Sequence, residues 1–462
     1  MKTIIKIIPA IFPVIAQAQD LPNILVYLAD DHGAEHSQPY GFDYVKTPNL
    51  MQLSSEGLVF DNAFVASPAS GPSRAALMSG LMPARNGAEE NHTSPSEDSQ
   101  IMIKLLQENG YEVVAFGKVA HSIKQSQMCG FDKFLFKGVK NEQLPSLVQK
   151  YLNNRTSDKP LCIMVGDRRP HVSWTAEMDY NPSEAPLPSN IYDTPEAREH
   201  FSRYLTDITS LDASLGKIQK IVGEHFKGED IMTVYTADHG AQWPLAKWNL
   251  YDRGIRVPMI IKWKNHIPEG VRTNAMVSWI DLLPTLIDVT GGSVPSTIDG
   301  KSFANILIDS EKSHRKELYT AHTADGTMNL YPMRSIRTER YKYIENLWSD
   351  CYHSNHSDIK RKDGAGAFWD SWDEAAKKDP EAAEFILRYY QRPPEELFDL
   401  EVDPLEQNNL ADNPDYKNIL IELKAKLAQW RQSQGDEIPN LPDTRYPLSG
   451  PTPYEVNQAI NN

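Results

Sequence analysis

Runs of apolar residues alternate with amphipathic segments along the first two thirds of the chain. Residues 23–28 are almost continuously apolar, which is typical of a parallel strand buried on both faces of a sheet. Further apolar runs predict strands at residues 111–116, 161–165, 231–236 and 259–262. Apolar residues at helical spacing predict helices at residues 47–57, 101–109 and 196–225. This alternation predicts an α/β fold in which a large, mostly parallel sheet is flanked by helices.

The pattern changes after residue 310. Closely spaced strands are predicted at residues 317–321, 333–338, 341–345 and 396–400, and a final helix is predicted at residues 416–433. We therefore predict a larger α/β domain at residues 19–310 and a smaller antiparallel α+β domain at residues 311–462. A proline-rich tail at residues 438–453 belongs to the smaller domain.

The first eighteen residues have the pattern of a secretory signal peptide. Lys2 and Lys6 precede a short apolar run at residues 7–15, and Ala16-Gln17-Ala18 follows it. The apolar run is too short to span a bilayer, which takes roughly 20 apolar residues. The sequence therefore predicts export to the periplasm or beyond the cell, with cleavage after Ala18 and no membrane span.

The overall charge narrows the choice of partner. The chain carries 47 Lys and Arg against 62 Asp and Glu, a formal net charge of -15. Nucleic acids and anionic membranes favour basic surfaces, so neither is expected as a partner. Cys129, Cys162 and Cys351 are an odd number of cysteines for an exported chain, so at most one disulfide is expected.

Acidic residues follow two of the predicted strands. Asp30 and Asp31 come after the first strand, and Asp238 and His239 come after the strand at residues 231–236. Either pair alone is also compatible with a turn or a helix cap. Two such pairs at the same edge of one sheet predict a site for a hard cation, calcium or magnesium, although imidazole suits such an ion less well than oxygen does.

A possible nucleophile and a set of cationic residues share this predicted edge. Ser70 opens the segment Ser70-Gly71-Pro72-Ser73-Arg74 at the start of an apolar helical turn, a position that aims a reactive oxygen at an anion. The same pattern also occurs in loops that cap helices. The cationic candidates are Arg74, Lys118, His121, Arg168, Arg169, His171 and Lys247. Together they would neutralise a sulfate or phosphate group.

Several motifs match those of one known family. They are Leu28-Ala29-Asp30-Asp31, Ser70-x-Pro72-Ser73-Arg74 with Gly80, Gly110-Tyr111 through Gly117-Lys118, Asp238-His239-Gly240, and the segment from Lys247 through Gly254-Ile255-Arg256-Val257-Pro258. With these motifs the chain resembles the type I sulfatases of the alkaline phosphatase superfamily, from the end of the signal peptide onward. The segments Tyr331-Pro332-Met333-Arg334-Ser335 and Glu396-Leu397-Phe398-Asp399-Leu400 are most similar to the heparan N-sulfatase (sulfamidase) branch.

The resemblance implies a role for each matched residue. Ser70 would be oxidised by a maturase to formylglycine, which is hydrated and attacks sulfur; serine rather than cysteine here points to a bacterial host. Asp30, Asp31, Asp238 and His239 would hold Ca²⁺ together with the oxygen of residue 70. Arg74 and Lys118 would stabilise the modified side chain, and His121 would assist sulfate elimination. His171 and Lys247 would bind sulfate and protonate the leaving group.

Two positions depart from the common family pattern. His121 lies three residues after Lys118, whereas many relatives have the histidine two residues after the lysine. His239 stands where many relatives have asparagine. The family also places its second domain over the site, so His322, Arg334 and Arg337 are candidate substrate contacts, although they are also compatible with charges on surface strands.

These observations together predict an exported sulfatase. Its substrate would be a sulfated oligosaccharide from a uronic-acid-containing polysaccharide such as heparan sulfate or algal ulvan. The sequence leaves open the sugar and the choice between O- and N-sulfate. It also leaves two alternatives: a phosphate or phosphonate monoesterase of the same superfamily that uses Ser70 unmodified, and an inactive protein that binds sulfated glycans.

Overall fold

The structure of the chain is a computed structural model that describes residues 21–326, 328–362, 364–437 and 446–461. The signal peptide predicted at residues 1–18 lies outside the described residues, as do residues 438–445 of the proline-rich tail. Among the residues that are described, no helix is both long and apolar enough to cross a membrane. Cys129 and Cys162 form no disulfide there, and all three cysteines are buried.

The larger sheet of the described chain has eight strands in the order β5-β4-β6-β1-β7-β8-β2-β9. Their bounds are β1 Asn23–Ala29, β2 Leu58–Phe60, β4 Glu112–Gly117, β5 Lys133–Leu135, β6 Leu161–Gly166, β7 Ile231–Ala237, β8 Met259–Trp263 and β9 Val271–Thr273. All pairs are parallel except those that β8 makes with β7 and β2. Every residue of the central strand β1 is buried, because helices cover both faces of the sheet.

The helices of the described chain alternate with these strands. They are α1 Pro48–Ser55, α2 Ser70–Ser79, α3 Pro83–Asn86, α4 Met102–Glu108, α5 Ile123–Cys129, α6 Leu144–Asn154, α7 Pro195–His225, α8 Asp252–Ile255, α9 Leu282–Val289 and α10 Ala304–Ile308. The long helix α7 begins where the Thr194 hydroxyl accepts a hydrogen bond from the amide of Ala197 at 3.2 Å, an N-cap that satisfies a free amide of the first turn. A short two-stranded pair, β3 Ala63–Phe64 and β10 Val277–Ser278, lies beside the main sheet.

A second, antiparallel sheet follows in the order β11-β12-β13-β14. Its strands are β11 Glu317–Ala324, β12 Leu330–Thr338, β13 Tyr341–Asn346 and β14 Glu395–Asp399; the later helices are α11 His356–Lys360, α12 Trp369–Ala376, α13 Pro380–Tyr390, α14 Lys417–Gln434 and α15 Pro453–Asn461. Leu423 and Leu427 of α14 pack against Ile336, Tyr343 and Leu397 of this sheet. The α/β fold with a smaller antiparallel α+β part is thereby confirmed.

Several helices of the described chain were not predicted from the sequence, among them α5, α6, α9 and the three helices α11, α12 and α13. These last three lie between β13 and β14. Trp369 and Trp372 of α12 are fully buried in an aromatic cluster with Phe201 of α7 and Trp243. α12 and α13 pack into this cluster, so their stability depends on residues that are distant in the sequence.

A buried group of charges joins the two sheets. The Asp252 carboxylate lies 3.0 Å from the Arg337 guanidinium of β12 and 2.5 Å from Lys342 Nζ of β13. Lys342 also lies 2.6 Å from Glu406. Burial by itself raises the pKa of Asp252, but Arg337 and Lys342 outweigh it and hold the pKa well below its ordinary value. Because Asp252 closely follows Lys247, these contacts fix the segment that carries Lys247.

We expect Asp252→Asn to lower the free energy of unfolding by about 3–5 kcal/mol, because it leaves the buried Arg337 without its counterion and Lys342 with Glu406 alone. Urea unfolding followed by circular dichroism measures the loss. The matched control is Asp309→Asn, whose partner Lys312 lies 3.9 Å away at an exposed position; it should change stability by less than about 1 kcal/mol. Equal effects of the two substitutions would show that the buried charges do not hold the sheets together.

Candidate active site

Acidic residues gather where the central strands of the larger sheet end. Asp30 and Asp31 follow β1, and Asp238 follows β7; the two strands pair in parallel with Ala29 opposite Ala237. The amide of Asp238 donates to the carbonyl of Ala29 at 3.2 Å, and the amide of Asp31 donates to Asp238 Oδ1 at 3.1 Å. Backbone pairing therefore brings the three carboxylates to one point.

Ser70 lies in the middle of these carboxylates. It is the first residue of α2 and is 2% exposed. Its Oγ lies 2.6 Å from Asp238 Oδ2, 3.1 Å from Asp30 Oδ1 and 3.0 Å from His239 Nε2. The free amides of the helix start give this end a partial positive charge, which favours an anion near Ser70.

The residue after Ser70 must be small. The amide of Gly71 donates to Asn91 Oδ1 at 2.7 Å. A Cβ atom added at Gly71 would come within 2.9 Å of the carbonyl oxygen of Asn91, a distance that would force the backbone of Asn91 to move. The glycine therefore lets the segment around Asn91 approach the start of α2.

Asp30, Asp31, Asp238 and His239 fit a metal ion. Each offers one ligand atom, and these atoms lie within 4.8 Å of one another. His239 Nδ1 lies 2.9 Å from the carbonyl oxygen of Gly240, which can only accept, so Nδ1 carries the proton and Nε2 presents its lone pair to the carboxylates. Burial lowers the pKa of His239, which keeps the ring neutral as a ligand should be. The donor set can therefore hold a metal ion.

Three cationic side chains balance the three carboxylates. Arg74 is fully buried and lies 3.1 Å from Asp30 and 3.0 Å from Asp238. Lys118 Nζ lies 2.6 Å from Asp30 and 3.5 Å from Ser70 Oγ. Lys247 Nζ lies 2.9 and 2.8 Å from the two carboxylate oxygens of Asp31.

These charges set each other's protonation. Burial acts to raise the pKa of Asp30, but Lys118 and Arg74 hold it well below its ordinary value. Burial acts to lower the pKa of Lys247, but Asp31 and Asp30 raise it. Lys247 is therefore a protonated ammonium group and Asp30 a carboxylate.

Two histidines lie beside this cluster. Burial and the nearby Lys247 lower the pKa of His171 to about 3. Its Nδ1 donates to the carbonyl of Val172, which leaves Nε2 available for another contact. His121 Nε2 lies 3.1 Å from His92 Nδ1, and burial together with Lys118 lowers the pKa of His121 to about 3. Both rings are neutral unless an anion approaches.

A cavity of about 800 Å³ opens next to Asp30, Lys118 and His171. Arg168 and Asp207 contribute to its wall, and burial raises the pKa of Asp207 to about 6. The cavity gives the charged cluster access to a ligand from outside. Arg169, predicted with the cationic set, pairs with Asp167 at 2.6 Å instead.

The three candidates from the second domain have contacts of their own. Arg334 pairs with Asp436 at 2.6 Å and with Glu89, and Arg337 pairs with Asp252. His322 Nε2 lies 3.4 Å from Asn329. Both guanidinium groups are thus held in internal ion pairs. A role for these three side chains in substrate binding stays a prediction.

Other residues near the site carried no sequence signal. Gln242 Oε1 lies 3.4 Å from Lys247 Nζ, and the ring of His356 packs on Trp248 at 4.6 Å between centroids. Asn91 and His92 are likewise close to the start of α2 and to His121. All of them stand in loops or at the start of a short helix, where no spacing rule marks them.

The site combines a serine oxygen at a helix start, four residues that could hold a metal ion, and three ammonium or guanidinium groups. This combination suits a hydrolase that acts on anionic esters. Residues 22–293 match the sulfatase family, and residues 240–363 match the C-terminal region of N-sulphoglucosamine sulphohydrolase. The chain belongs to the sulfatase family, and its members are sulfuric ester hydrolases.

Individual proteins resemble the chain over most of its length. An ulvan-active sulfatase of Formosa agariphila is 31% identical over 435 residues, which are 90% of this chain and 81% of the relative. A solved structure in complex with its substrate D-glucosamine-2-N,6-O-disulfate has a TM-score of 0.69 at 21% identity and covers 91% of this chain and 99% of its own. A phosphonate monoester hydrolase from Silicibacter pomeroyi has a TM-score of 0.68 at 17% identity, covering 91% and 97%. The last two share the fold.

We expect calcium to raise the melting temperature, since an ion at 100 times its dissociation constant adds about 2.7 kcal/mol to stability. Differential scanning calorimetry in chelator and then in CaCl₂ or MgCl₂ measures the shift. In Asp238→Ala the shift should vanish, because one charged ligand is gone. The control is Asp207→Asn, a buried carboxylate outside the cluster, which should keep the shift. A shift that survives in Asp238→Ala would place the ion elsewhere.

Proposed function

We propose that the protein is an exported sulfatase that removes sulfate from a sulfated sugar of a uronic-acid-containing polysaccharide, using formylglycine formed from Ser70. The observation that carries the proposal is the position of Ser70 Oγ, within 3.1 Å of Asp30, Asp238 and His239 at the start of α2. An oxygen on this side chain lies among metal ligands and cations, where a nucleophile for an anionic ester is needed.

A hydrated formylglycine at residue 70 would supply one hydroxyl group that attacks sulfur and so becomes the sulfate ester. Loss of the proton of the second hydroxyl group to a base such as His121 would then break the bond between carbon and the sulfate oxygen, which releases sulfate and restores the aldehyde. Arg74 and Lys118 hold this position. Lys118 Nζ is 3.5 Å from Ser70 Oγ, so its ammonium group stabilises negative charge on an oxygen there. Arg74 fixes Asp30 and Asp238 through two ion pairs and keeps both carboxylates turned toward residue 70.

Asp30, Asp31, Asp238 and His239 would hold Ca²⁺, whose charge would favour ionisation of the nucleophile and attract the sulfate group. Three carboxylates and one neutral imidazole suit a hard cation, because three of the four ligands are charged oxygens. The fourth ligand is a nitrogen, and a hard cation would be better served by an amide oxygen at this position.

Lys247 and His171 would bind the sulfate group and assist the leaving group. His171 lines the cavity beside Asp30, and the protonated Lys247 contacts Asp31. A sulfate group would add negative charge beside His171 and so raise the pKa of this ring, which is otherwise lowered by burial and Lys247. A protonated His171 could then donate a proton to the leaving oxygen of the sugar.

The substrate class rests on the relatives. The Formosa protein is named for activity on ulvan, and the C-terminal match is to an enzyme named for N-sulphoglucosamine. Both names indicate sulfated sugars, and we favour ulvan oligosaccharides because that relative is more than 30% identical over most of the chain. The signal peptide pattern at residues 1–18 supports a periplasmic or secreted enzyme, matured by a formylglycine-generating oxidase.

Two other functions are less well supported. A phosphonate monoester hydrolase shares the fold, so the fold alone does not separate sulfate from phosphorus esters. The sequence Ser70-x-Pro72-Ser73-Arg74 favours the sulfatase. A binding protein without activity would not need Ser70, the metal ligands and the three cations to be kept together in this arrangement.

We expect protein purified from its own host to carry formylglycine at residue 70. Oxidation of serine to the aldehyde removes two hydrogens, so the peptide containing residue 70 should have the corresponding lower mass and should react with a hydrazide. Mass spectrometry of the tryptic peptide measures both. Ser70→Ala is the control and should not react. Full activity in a preparation whose residue 70 is entirely serine would contradict the proposal.

We expect sulfate release from ulvan oligosaccharides, measured by ion chromatography, with less from heparan sulfate oligosaccharides. Aryl phosphates and phosphonates should be poorer substrates than the matching aryl sulfate if the enzyme is specific for sulfate esters. Ser70→Ala should release no sulfate from any of them. A phosphonate ester turned over faster than the aryl sulfate would favour the alternative hydrolase.

A further inference from the structure

We propose that His92 and Asp325 are positioning residues that fix which nitrogen of His121 can accept a proton. The inference rests on the proposed function in one respect: the resemblance to sulfatases implies that His121 is the base that assists sulfate elimination. It concerns a chain of hydrogen bonds that runs from Asp325 through His92 to His121.

The direction of each hydrogen bond follows from the donors available. Asp325 Oδ1 lies 3.1 Å from His92 Nε2, and a carboxylate can only accept, so His92 Nε2 carries a proton. In a neutral His92 the other nitrogen, Nδ1, then has a lone pair. It lies 3.1 Å from His121 Nε2, which must therefore be the donor.

The consequence for His121 is a single tautomer. With its proton on Nε2, neutral His121 presents a lone pair at Nδ1. That atom is buried and has no hydrogen-bond partner among the described residues. Lys118 and Arg74 lower the pKa of the His121 ring, and Asp30 opposes them. Lys118 also contacts Ser70, and Arg74 pairs with Asp30, so the ring lies close to the groups around residue 70. Nδ1 is thus the proton-accepting atom on the side of the ring away from His92.

The same group of residues is tied to the nucleophile. Asn91 Nδ2 donates to Asp325 Oδ1 at 3.0 Å, and Asn91 Oδ1 accepts from the amide of Gly71 at 2.7 Å. The amide of Asn91 also donates to the carbonyl of Ala324 at the end of β11. Asp325 is 6% exposed, so the carboxylate that accepts the first hydrogen bond of the series has a fixed position. The histidines are therefore held relative to residue 70 by contacts on both sides.

Protonation of His92 would reverse the arrangement. His92⁺ donates from both nitrogens, so His121 must accept at Nε2 and carry its own proton on Nδ1, where it can no longer act as a base. The hydrogen bond with Asp325 raises the pKa of His92, whereas Lys118 and Lys247 oppose that effect. The base form of His121 is therefore present at higher pH and is lost as the pH falls through the raised pKa of His92. Because the His92 side chain is 68% exposed, it exchanges protons with solvent directly.

A different role would use the same residues to bind the sugar. The exposed edge of His92 and the second oxygen of Asp325 could contact substrate hydroxyl groups. That role predicts a change in KM and none in the protonation of His121. The two roles are therefore separated by measuring the tautomer itself.

The first measurement uses the protein with serine at residue 70, made without the maturase, so it does not depend on sulfatase activity. Long-range ¹⁵N–¹H NMR of histidine-labelled protein reports which ring nitrogen carries the proton. We expect His121 to be protonated on Nε2 at pH 8, and to shift toward Nδ1 or to a mixture in Asp325→Asn and His92→Phe. The control is His266→Phe: His266 lies 2.9 Å from Asp230, a similar pair at the opposite edge of the sheet, where β7 begins.

The second measurement uses the matured enzyme. Asp325→Asn and His92→Phe should lower kcat roughly 10- to 100-fold with little change in KM, the usual cost of removing a partner that orients a functional histidine. In Asp325→Asn the acid limb of the pH dependence of kcat should also move to lower pH, because the pKa of His92 is no longer raised. His266→Phe should leave both unchanged.

Either of two results would overturn the proposal. One is a His121 tautomer that is the same in the parent protein and in both variants; the other is a rise in KM with kcat and its pH dependence unchanged, which would assign His92 and Asp325 to substrate binding. If the matured parent released no sulfate from any ester, the proposed function would fail, yet the NMR result would still decide the tautomer.

Discussion

The burial of three carboxylates next to three cationic side chains is the constraint on which the site depends. Asp30, Asp31 and Asp238 are each at most 1% exposed, and burying a charge is costly unless the charge is paired and hydrogen-bonded. Arg74, Lys118 and Lys247 balance them one for one. Each cation comes from a different segment of the chain, so the site forms only when the whole larger domain has folded. A divalent ion added to this balanced set would make the site net positive, as binding of an anionic ester requires.

The second sheet holds two segments of the site in place through contacts outside the charged cluster. Asp252, Arg337, Lys342 and Glu406 link it to the segment that follows Lys247, and Ala324 at the end of β11 holds Asn91 beside the start of α2. The smaller part of the molecule therefore fixes two segments that face residue 70. Arg334 and Arg337 carry charges that would suit an anionic substrate, but they are paired here with the internal carboxylates of Asp436 and Asp252.

The sequence predicts five of the eight strands of the larger sheet because these five have strong local signals; it misses β2, β5 and β9, which have three residues each. Long apolar runs mark β1, β6 and β7, and the residues directly after them are placed at one edge by parallel pairing. For this reason Asp30, Asp31 and Asp238 could be grouped before any coordinates were known. The tautomer of His239 could not be predicted from the sequence, since it depends on the hydrogen bond of this ring with the carbonyl of Gly240. The pairing of Arg334 with Asp436 could not be predicted either, because Asp436 lies 102 positions away and belongs to none of the motifs.

Contacts between distant loops explain what sequence patterns miss near the site itself. Asn91 and Asp325 are separated by 234 positions, and neither belongs to a periodic segment, yet their contact connects the start of α2 to the end of β11.

The net charge of the protein is also a poor guide to what the site binds. A net charge of -15 would repel a sulfated glycan, but long-range fields are screened within about 8 Å at physiological salt, whereas contacts inside a buried cluster are not. Affinity for an anion is therefore decided by the few ångströms around residue 70, where cations, a helix start and metal ligands meet, and the total charge has little influence on it.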